Sequence, residues 1–277
     1  MTQTTTITVS PVTRAVGAVI DGVDMREPLD EETAGRLRQA WLDYGVVFFR
    51  EQDLTPEQLM AFVAHFGTPI TEPSSAAYGA NPHAYPVAEG DTAPIKGVAE
   101  RWHADATWLA QPPMATMLRM VEIPPVGGDT CWVNVVVAYQ ALAEPLRNLL
   151  DPLTAVHWMM PSLETMGITP QSDDIEYVHP VIRVHPETGR KAIYVSEGWT
   201  RNIVELPPAQ SSHLLALLYD HIRSPDFSMR WRWAPGDVAF WDNRTVQHFA
   251  VADYDEGRRI QRVVLAGDRP FGPGQAC

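Results

Sequence analysis

The sequence predicts a mainly β fold, a β-sandwich or barrel with helices packed outside it. Two amphipathic segments with legible helix caps fall in the N-terminal quarter, and short strand-like runs separated by Gly, Pro or Asn/Asp signals recur after Pro113. No repeat or low-complexity linker divides the 277 residues, and 45% apolar content is enough for one substantial core. A single domain over residues 1–277 is expected, with about the first ten disordered.

Residues Ile7 to Val23 mix β-branched residues with Gly17 and Gly22 and read as one or two strands with a turn. From Asp30 to Tyr44, apolar Ala34, Leu37, Trp41 and Tyr44 recur at helical spacing, and Gly45 suits the left-handed position that ends a helix. Val46-Val47-Phe48-Phe49 is a short apolar run bounded by Gly45 and charged Arg50-Glu51, which predicts a buried strand. Thr55, Pro56 and Gln58 form a capping box for a second helix with Leu59, Phe62, Val63 and Phe66 on one face and Gly67 closing it. Thr68 to Arg101 lacks a pattern, and so long a loop suggests a lid or binding segment. Strands are expected over Met114–Val121, Thr130–Val137, Val178–Val184, Ala192–Val195, Met229–Trp233, Val238–Trp241 and Arg259–Ala266, and helices over Ala138–Leu150 and Ser211–Ile222.

A formal net charge of −13 with no Lys/Arg block argues against a nucleic-acid partner or an anionic membrane surface, leaving a small molecule as the expected partner. Cys131 and Cys277 are too few for a disulfide framework, and no basic start with an apolar run marks an export signal, so a cytoplasmic location is expected.

The chemistry concentrates in Arg101-Trp102-His103-Ala104-Asp105-Ala106-Thr107-Trp108. On a strand, His103 and Asp105 point to one face. With a second distant histidine they compose a two-His-one-carboxylate facial triad, whereas alone they are a common surface or hydrogen-bonded pair. The second stretch is Trp241-Asp242-Asn243-Arg244-Thr245-Val246-Gln247-His248, followed by the basic run Arg258-Arg259-Ile260-Gln261-Arg262. Asp242 and Asn243 are read as fixing the turn before the histidine strand rather than as ligands. His65, His83, His157, His179, His185, His213 and His221 are read as structural or solvated.

Here the chain resembles the taurine dioxygenase and 2,4-D dioxygenase family of iron(II)- and 2-oxoglutarate-dependent oxygenases. The likeness runs through Gly45 to Arg50, Trp102 to Asp105, Gly127-Gly128-Asp129-Thr130, His179-Pro180-Val181 with His185-Pro186, and Trp241 to Arg244 on to Gly267-Asp268-Arg269-Pro270. It implies a jelly-roll, double-stranded β-helix core, with Fe(II) held by His103, Asp105 and His248, and with 2-oxoglutarate and O2 as cosubstrates. Two neutral imidazoles and one carboxylate leave the opposite face of an octahedral iron open to ligands, as oxygen activation requires. Thr130 matches the family's threonine for the far carboxylate of 2-oxoglutarate. The family places two arginines eleven and fifteen residues past the distal histidine; here Arg262 lies fourteen past His248, so one residue is missing. Counting from His248 selects Arg259 for the cosubstrate, and counting back from Gly267-Asp268 selects Arg258. Strand parity favours Arg258, which shares a face with Arg262 unless a bulge intervenes.

The resemblance also assigns substrate positions to Arg262, Glu72, Ala99, Leu163 and Trp199, with Trp102 beside the pocket. Glu72 stands where the taurine-oxidising members carry a sulfonate-binding histidine, Ala99 where they carry asparagine, and Leu163 and Trp199 where they carry phenylalanines. Taurine is therefore not the expected substrate; a small acidic or zwitterionic molecule is. The expected reaction is hydroxylation of an unactivated C–H bond with release of succinate and CO2, desaturation or another tailoring oxidation being the alternative and a non-catalytic binding protein the remote one. Asp105 disfavours a halogenase, in which a small residue replaces that carboxylate. The resemblance further implies a homo-oligomer, dimer or tetramer.

Overall fold

The computed structural model describes residues 6–71, 88–92, 100–159, 175–255 and 257–275. The expected hairpin is present, β1 (Thr8–Pro11) pairing antiparallel with β2 (Ala18–Asp21). Helix α1 (Glu31–Tyr44) begins where the Asp30 carboxylate accepts the Thr33 N–H, and it ends at Gly45 with φ 73°. Strand β3 (Val46–Phe49) follows, then α2 (Pro56–Val63), whose Thr55–Gln58 capping box has both of its hydrogen bonds. The helix stops at Val63, short of Gly67. A Cβ there would lie 2.4 Å from Met114 Cε, the movable end of that side chain.

Two short strands, β4 (Pro69–Ile70) and β5 (Ala88–Thr92), lie within the patternless Thr68–Arg101 stretch. The central strands are β6 (Ala115–Glu122) and β7 (Thr130–Asn134). The strand expected to reach Val137 stops at Asn134 because that side chain accepts the Val136 and Val137 N–H groups and starts helix α3 (Val135–Ala141). The single helix expected over Ala138–Leu150 is likewise two, α3 and α4 (Glu144–Leu150), since Pro145 fits the first turn of a helix and not its interior. Beyond it come β8 (Thr154–Trp158), β9 (Glu176–Pro180), β10 (Ile182–Val184), β11 (Lys191–Ile193), β12 (Thr200–Ile203) and α5 (Pro208–Ile222). Strands β13 (Ser228–Trp231), β14 (Val238–Asp242), β15 (Val246–Ala250) and β16 (Arg258–Leu265) complete the chain.

The large sheet runs β1-β2-β3-β14-β6-β16-β4, with β5 also pairing β16, and a smaller sheet runs β13-β7-β15. Side-chain alternation divides the large sheet cleanly. Val47 and Phe49 of β3, Met117 of β6, Phe240 of β14 and Val263 and Leu265 of β16 pack against Leu37, Trp41, Leu59 and Phe62 of the helices. The residues between them, Val46, Phe48, Leu118, Met120, Ala239 and Trp241, pack against Trp132, Trp231 and Val246 of the smaller sheet. Both faces of β3 are therefore covered, which is why four consecutive apolar residues form it. Trp41 stacks on Phe240 on the helix side, ring centroids 4.7 Å apart, and Phe48 stacks on Trp231 between the sheets at 3.8 Å. A third cluster, around Val135, Val181, Ile193 and Leu218, lies beneath α3 and α5. Two sheets face to face, with helices over the larger, make a jelly roll. Among the described residues no helix is long and apolar enough to cross a membrane.

Strand β9 buries His179, whose Nε2–H donates to the Leu109 carbonyl at 2.9 Å. Burial pushes this imidazole down from 6.5 to about 4, and burial pushes His157 well below its usual value too. The unfolded chain takes up these protons near pH 6.5 and the folded chain does not, so stability is complete above that pH and falls as the pH drops toward 4. The shift at His179 amounts to about 3 kcal/mol. Melting temperatures measured from pH 7 to pH 4 should fall less steeply for His179→Gln than for the wild type; parallel curves would assign the loss to other groups.

Candidate active site

His248 lies on β15, opposite Trp132 of β7. The chain arrives there from the large sheet through the turn Asp242–Thr245, which Asp242 holds by accepting the Arg244 N–H at 2.9 Å, as its sequence position predicts. His103 then adds itself to the free edge of β15. Its N–H donates to the His248 carbonyl at 3.0 Å and its carbonyl accepts the His248 N–H at 2.8 Å, an antiparallel bridge of one residue pair. This corrects the expectation of a strand through both residues. Asp105 lies in a turn, followed by Ala106 in the left-handed region at φ 48°, and the turn rather than strand parity brings its carboxylate back toward the histidines.

One ligand atom from each of His103, Asp105 and His248 lies within 4.8 Å of the other two, and all three residues are buried. His103 Nδ1 is 2.7 Å from the Arg101 carbonyl, so Nδ1 carries the proton and Nε2 keeps its lone pair. Burial pushes His248 down to about 3 and lowers His103, which keeps both rings neutral and able to donate to a metal. Burial alone would raise Asp105, but Arg262, the two imidazoles and the Thr116 hydroxyl outweigh it and hold the carboxyl far below the usual range. Asp105 Oδ2 accepts from Thr116 Oγ1 at 2.7 Å and from Asn243 Nδ2 at 3.1 Å. Oδ1 is left toward the histidines, 3.6 Å from His248 Nε2. Two neutral nitrogens and one carboxylate oxygen converging in a buried site suit a ferrous ion.

Thr116 and Asn243 are the residues that the motifs did not reveal. A signal existed for the first: Thr116 is a polar residue on the inward face of β6, in line with apolar Leu118 and Met120. For Asn243 no sequence signal separates turn-making from the contact with Asp105, and its Oδ1 also accepts the Asp105 N–H at 3.2 Å.

The basic run resolves by face. Arg262 shares the inward side of β16 with Ile260 and pairs with Asp105 Oδ1 at 2.6 Å. Arg258 is buried, donates to the Gly128 carbonyl at 2.9 Å and lies over the Tyr254 ring. Arg259 turns to the opposite side, pairs with Glu122 and has a side chain 40% exposed. A register shift against β6 falls between Arg259 and Ile260; the extra residue there is Val121 of β6, so alternation along β16 itself is unbroken. Thr130 is buried and accepts from Trp233 Nε1 at 3.0 Å. Trp199 is 5% exposed, with its indole N–H given to the Ala104 carbonyl at 2.9 Å. Trp102, expected beside the pocket, precedes His103, and its ring packs on Phe249 and the third cluster. Glu72, Ala99 and Leu163 lie outside the described residues, as does His83. The other histidines are hydrogen-bonded or peripheral as expected, His185 meeting Asp242 and His221 the Ala138 carbonyl.

A jelly roll with a buried His-Asp-His triad is the architecture of a mononuclear non-heme iron(II) oxygenase. The comparisons with known proteins narrow the class. Residues 8–264 match the model of the taurine catabolism dioxygenase TauD, TfdA family, and the chain belongs to that family. It is 36% identical to an alpha-ketoglutarate-dependent sulfate ester dioxygenase of Pseudomonas putida, over 95% of this chain and 91% of that one. It superposes on a taurine dioxygenase from Burkholderia xenovorans with TM-score 0.82 and 39% identity, covering 96% of this chain and 93% of the other. The structure of AAD-2 in complex with Mn(II) and N-oxalylglycine gives TM-score 0.81 at 26% identity, over 96% and 99% of the two chains. The protein is thus a 2-oxoglutarate-dependent dioxygenase, an oxidoreductase using Fe(II), 2-oxoglutarate (alpha-ketoglutarate) and O2.

The two donors on Oδ2 generate a prediction. Thr116→Val keeps the shape of the side chain and removes one donor, so the affinity for Mn(II) or anaerobic Fe(II) should fall about 10- to 100-fold by calorimetry. An unchanged affinity would mean that the hydroxyl does not orient Asp105.

Proposed function

We propose that this dioxygenase hydroxylates the carbon bearing the ester oxygen of a small alkyl sulfate, with His103, Asp105 and His248 as the iron ligands. The observation that carries the reading is the guanidinium of Arg262, which lies 2.6 Å from Asp105 Oδ1 and so supplies a cation at the edge of the triad. At about 4 Å and an effective dielectric of about 20, a sulfate would gain roughly 4 kcal/mol from such a charge before desolvation is subtracted. A sulfate ester is also the substrate class in the name of the Pseudomonas putida relative. Taurine is expected to be poor, because Glu72 stands where the family's sulfonate-binding histidine would be.

Bound at the triad, iron(II) supplies the activation of O2 against 2-oxoglutarate. The cosubstrate loses CO2 and takes one oxygen atom to become succinate; the second atom enters the substrate C–H bond as hydroxyl. That hydroxyl loses its proton, a carbonyl forms, and sulfate leaves with the bonding pair of the C–O bond. The protein's part is to hold charge in place. Arg258, buried and donating to the Gly128 carbonyl, is with Thr130 the proposed site for the far carboxylate of 2-oxoglutarate, its planar guanidinium matching a carboxylate. Arg259, paired outward with Glu122, has no part in it.

Succinate and sulfate release should be followed together across an alkyl sulfate, taurine, an aryloxyalkanoate and no substrate. Sulfate in step with succinate from the alkyl sulfate is the expected result, and its absence there with turnover on the aryloxyalkanoate would replace the substrate class. Arg258→Ala should raise the KM for 2-oxoglutarate at least about tenfold, while Arg259→Ala stays within about twofold. The reverse pattern would exchange the two roles. Arg262→Gln should raise the KM for the alkyl sulfate by about ten- to a hundredfold with that for 2-oxoglutarate little changed.

A further inference from the structure

We infer that the segment Val195–Thr200 is a clamp that positions both metal-bearing parts of the chain, with Gly198 and Trp199 as positioning residues for His103 and Asp105. The inference rests on the ligand assignment above. Neither residue is a ligand. What singles them out is that one short turn reaches both halves of the triad, which come from parts of the sequence far apart.

On the side of His103, the Gly198 N–H donates to the Trp102 carbonyl at 3.2 Å and Trp199 Nε1–H donates to the Ala104 carbonyl at 2.9 Å. These carbonyls flank His103, while the peptide groups of His103 itself are paired with His248. The ligating residue is therefore held from β15 on one edge and from this turn on the other. The Trp199 ring meets the His103 imidazole edge-on, centroids 5.6 Å apart at 86°, and meets Trp108 at 4.6 Å. Ala106, strained at positive φ directly after Asp105, packs in the same small cluster with Trp108, Met159 and Trp199. That packing is what holds the left-handed residue against its tendency to relax.

On the side of His248, Gln247 points away from the metal because side chains alternate along β15, and its Nε2 donates to the Val195 carbonyl at 2.8 Å. The turn is itself closed, with Ser196 N–H on Thr200 Oγ1 at 2.9 Å, and is tied to β8 by Trp158 N–H on the Trp199 carbonyl at 2.8 Å. Close approach favours the glycine. A Cβ on Gly198 would stand 3.0 Å from His103 Cβ, a tight contact that is relieved when His103 shifts slightly. Such a clamp explains why a tryptophan so near the site is nearly buried. Its role is to fix the direction of ligands rather than to line a pocket.

Two variants test this. Trp199→Phe keeps an aromatic edge against His103 and removes the N–H to Ala104; Gly198→Ala introduces the close contact. Mn(II) affinity measured by calorimetry, without cosubstrate or turnover, should weaken about tenfold or more in each, the range expected for groups that orient ligands. The visible d–d spectrum of the Co(II)-loaded protein should change in both, since it reports the geometry of the ligand set. With substrate, kcat should fall more than the KM for 2-oxoglutarate rises. Wild-type affinity and an unchanged Co(II) spectrum in Trp199→Phe, whatever its melting temperature, would overturn the clamp. His103→Ala in the same titration tests the underlying assignment: full affinity there removes His103 as a ligand, whereas loss there with no effect in Trp199→Phe removes only the clamp.

Discussion

A single buried carboxylate sets the terms for the architecture around it. Asp105 is 6% exposed and ionised, and a charge withdrawn from water costs several kcal/mol unless it is paired and hydrogen-bonded. The groups that offset this cost come from neighbouring strands of the large sheet. Thr116 is on β6, Arg262 on adjacent β16, and Asn243 just beyond β14 on the other side of β6. Their division between the two oxygens matters as much as their number. Two neutral donors occupy Oδ2, and Oδ1 faces the imidazoles and the guanidinium. A carboxylate held this way presents one oxygen in one direction, which a facial triad needs from its anionic member.

The histidines depend on a second device, the passage from large sheet to small. Asp242 anchors that turn through Arg244 and His185, and Arg244 in turn meets Glu187, which is also held by Arg38 of α1. Arg244 and the hydrogen bond from His185 overcome the effect of burial and hold the Asp242 carboxyl low, and the same pairing pushes Arg244 up. Removing one partner from such a network leaves an uncompensated charge, so the network fixes the turn's shape even where its net stabilisation is small. His248 inherits its direction from that turn, and His103 inherits its own from His248 through the paired peptide groups.

Much of this was legible in the sequence, for identifiable reasons. Caps at Asp30, Gly45 and Thr55 are local chemistry, and Val46–Phe49 announces a strand covered on both faces. The candidate triad could be read because residue type and the family motif agree at His103, Asp105 and His248, which the fold brings together. Local rules failed at element ends: α2 stops at Val63, short of Gly67, and Asn134, which reads as mid-strand, accepts the Val136 and Val137 N–H groups and caps a helix. Arg258 and Arg259 were distinguishable only by parity, and alternation along β16 is unbroken because the extra residue at the register shift, Val121, belongs to β6. That Thr116 and Asn243 meet Asp105 could not be read, since contact with a carboxylate more than ten residues away follows from sheet order.

The central claim is that Asp105 offers one oxygen to the metal while Thr116 and Asn243 keep the other. A crystal structure of the protein loaded anaerobically with Mn(II) tests it most directly. The account predicts His103 through Nε2, His248, and Asp105 through Oδ1 alone around the metal, with Thr116 Oγ1 and Asn243 Nδ2 still on Oδ2. A bidentate Asp105, or a metal bound without it, would contradict the account.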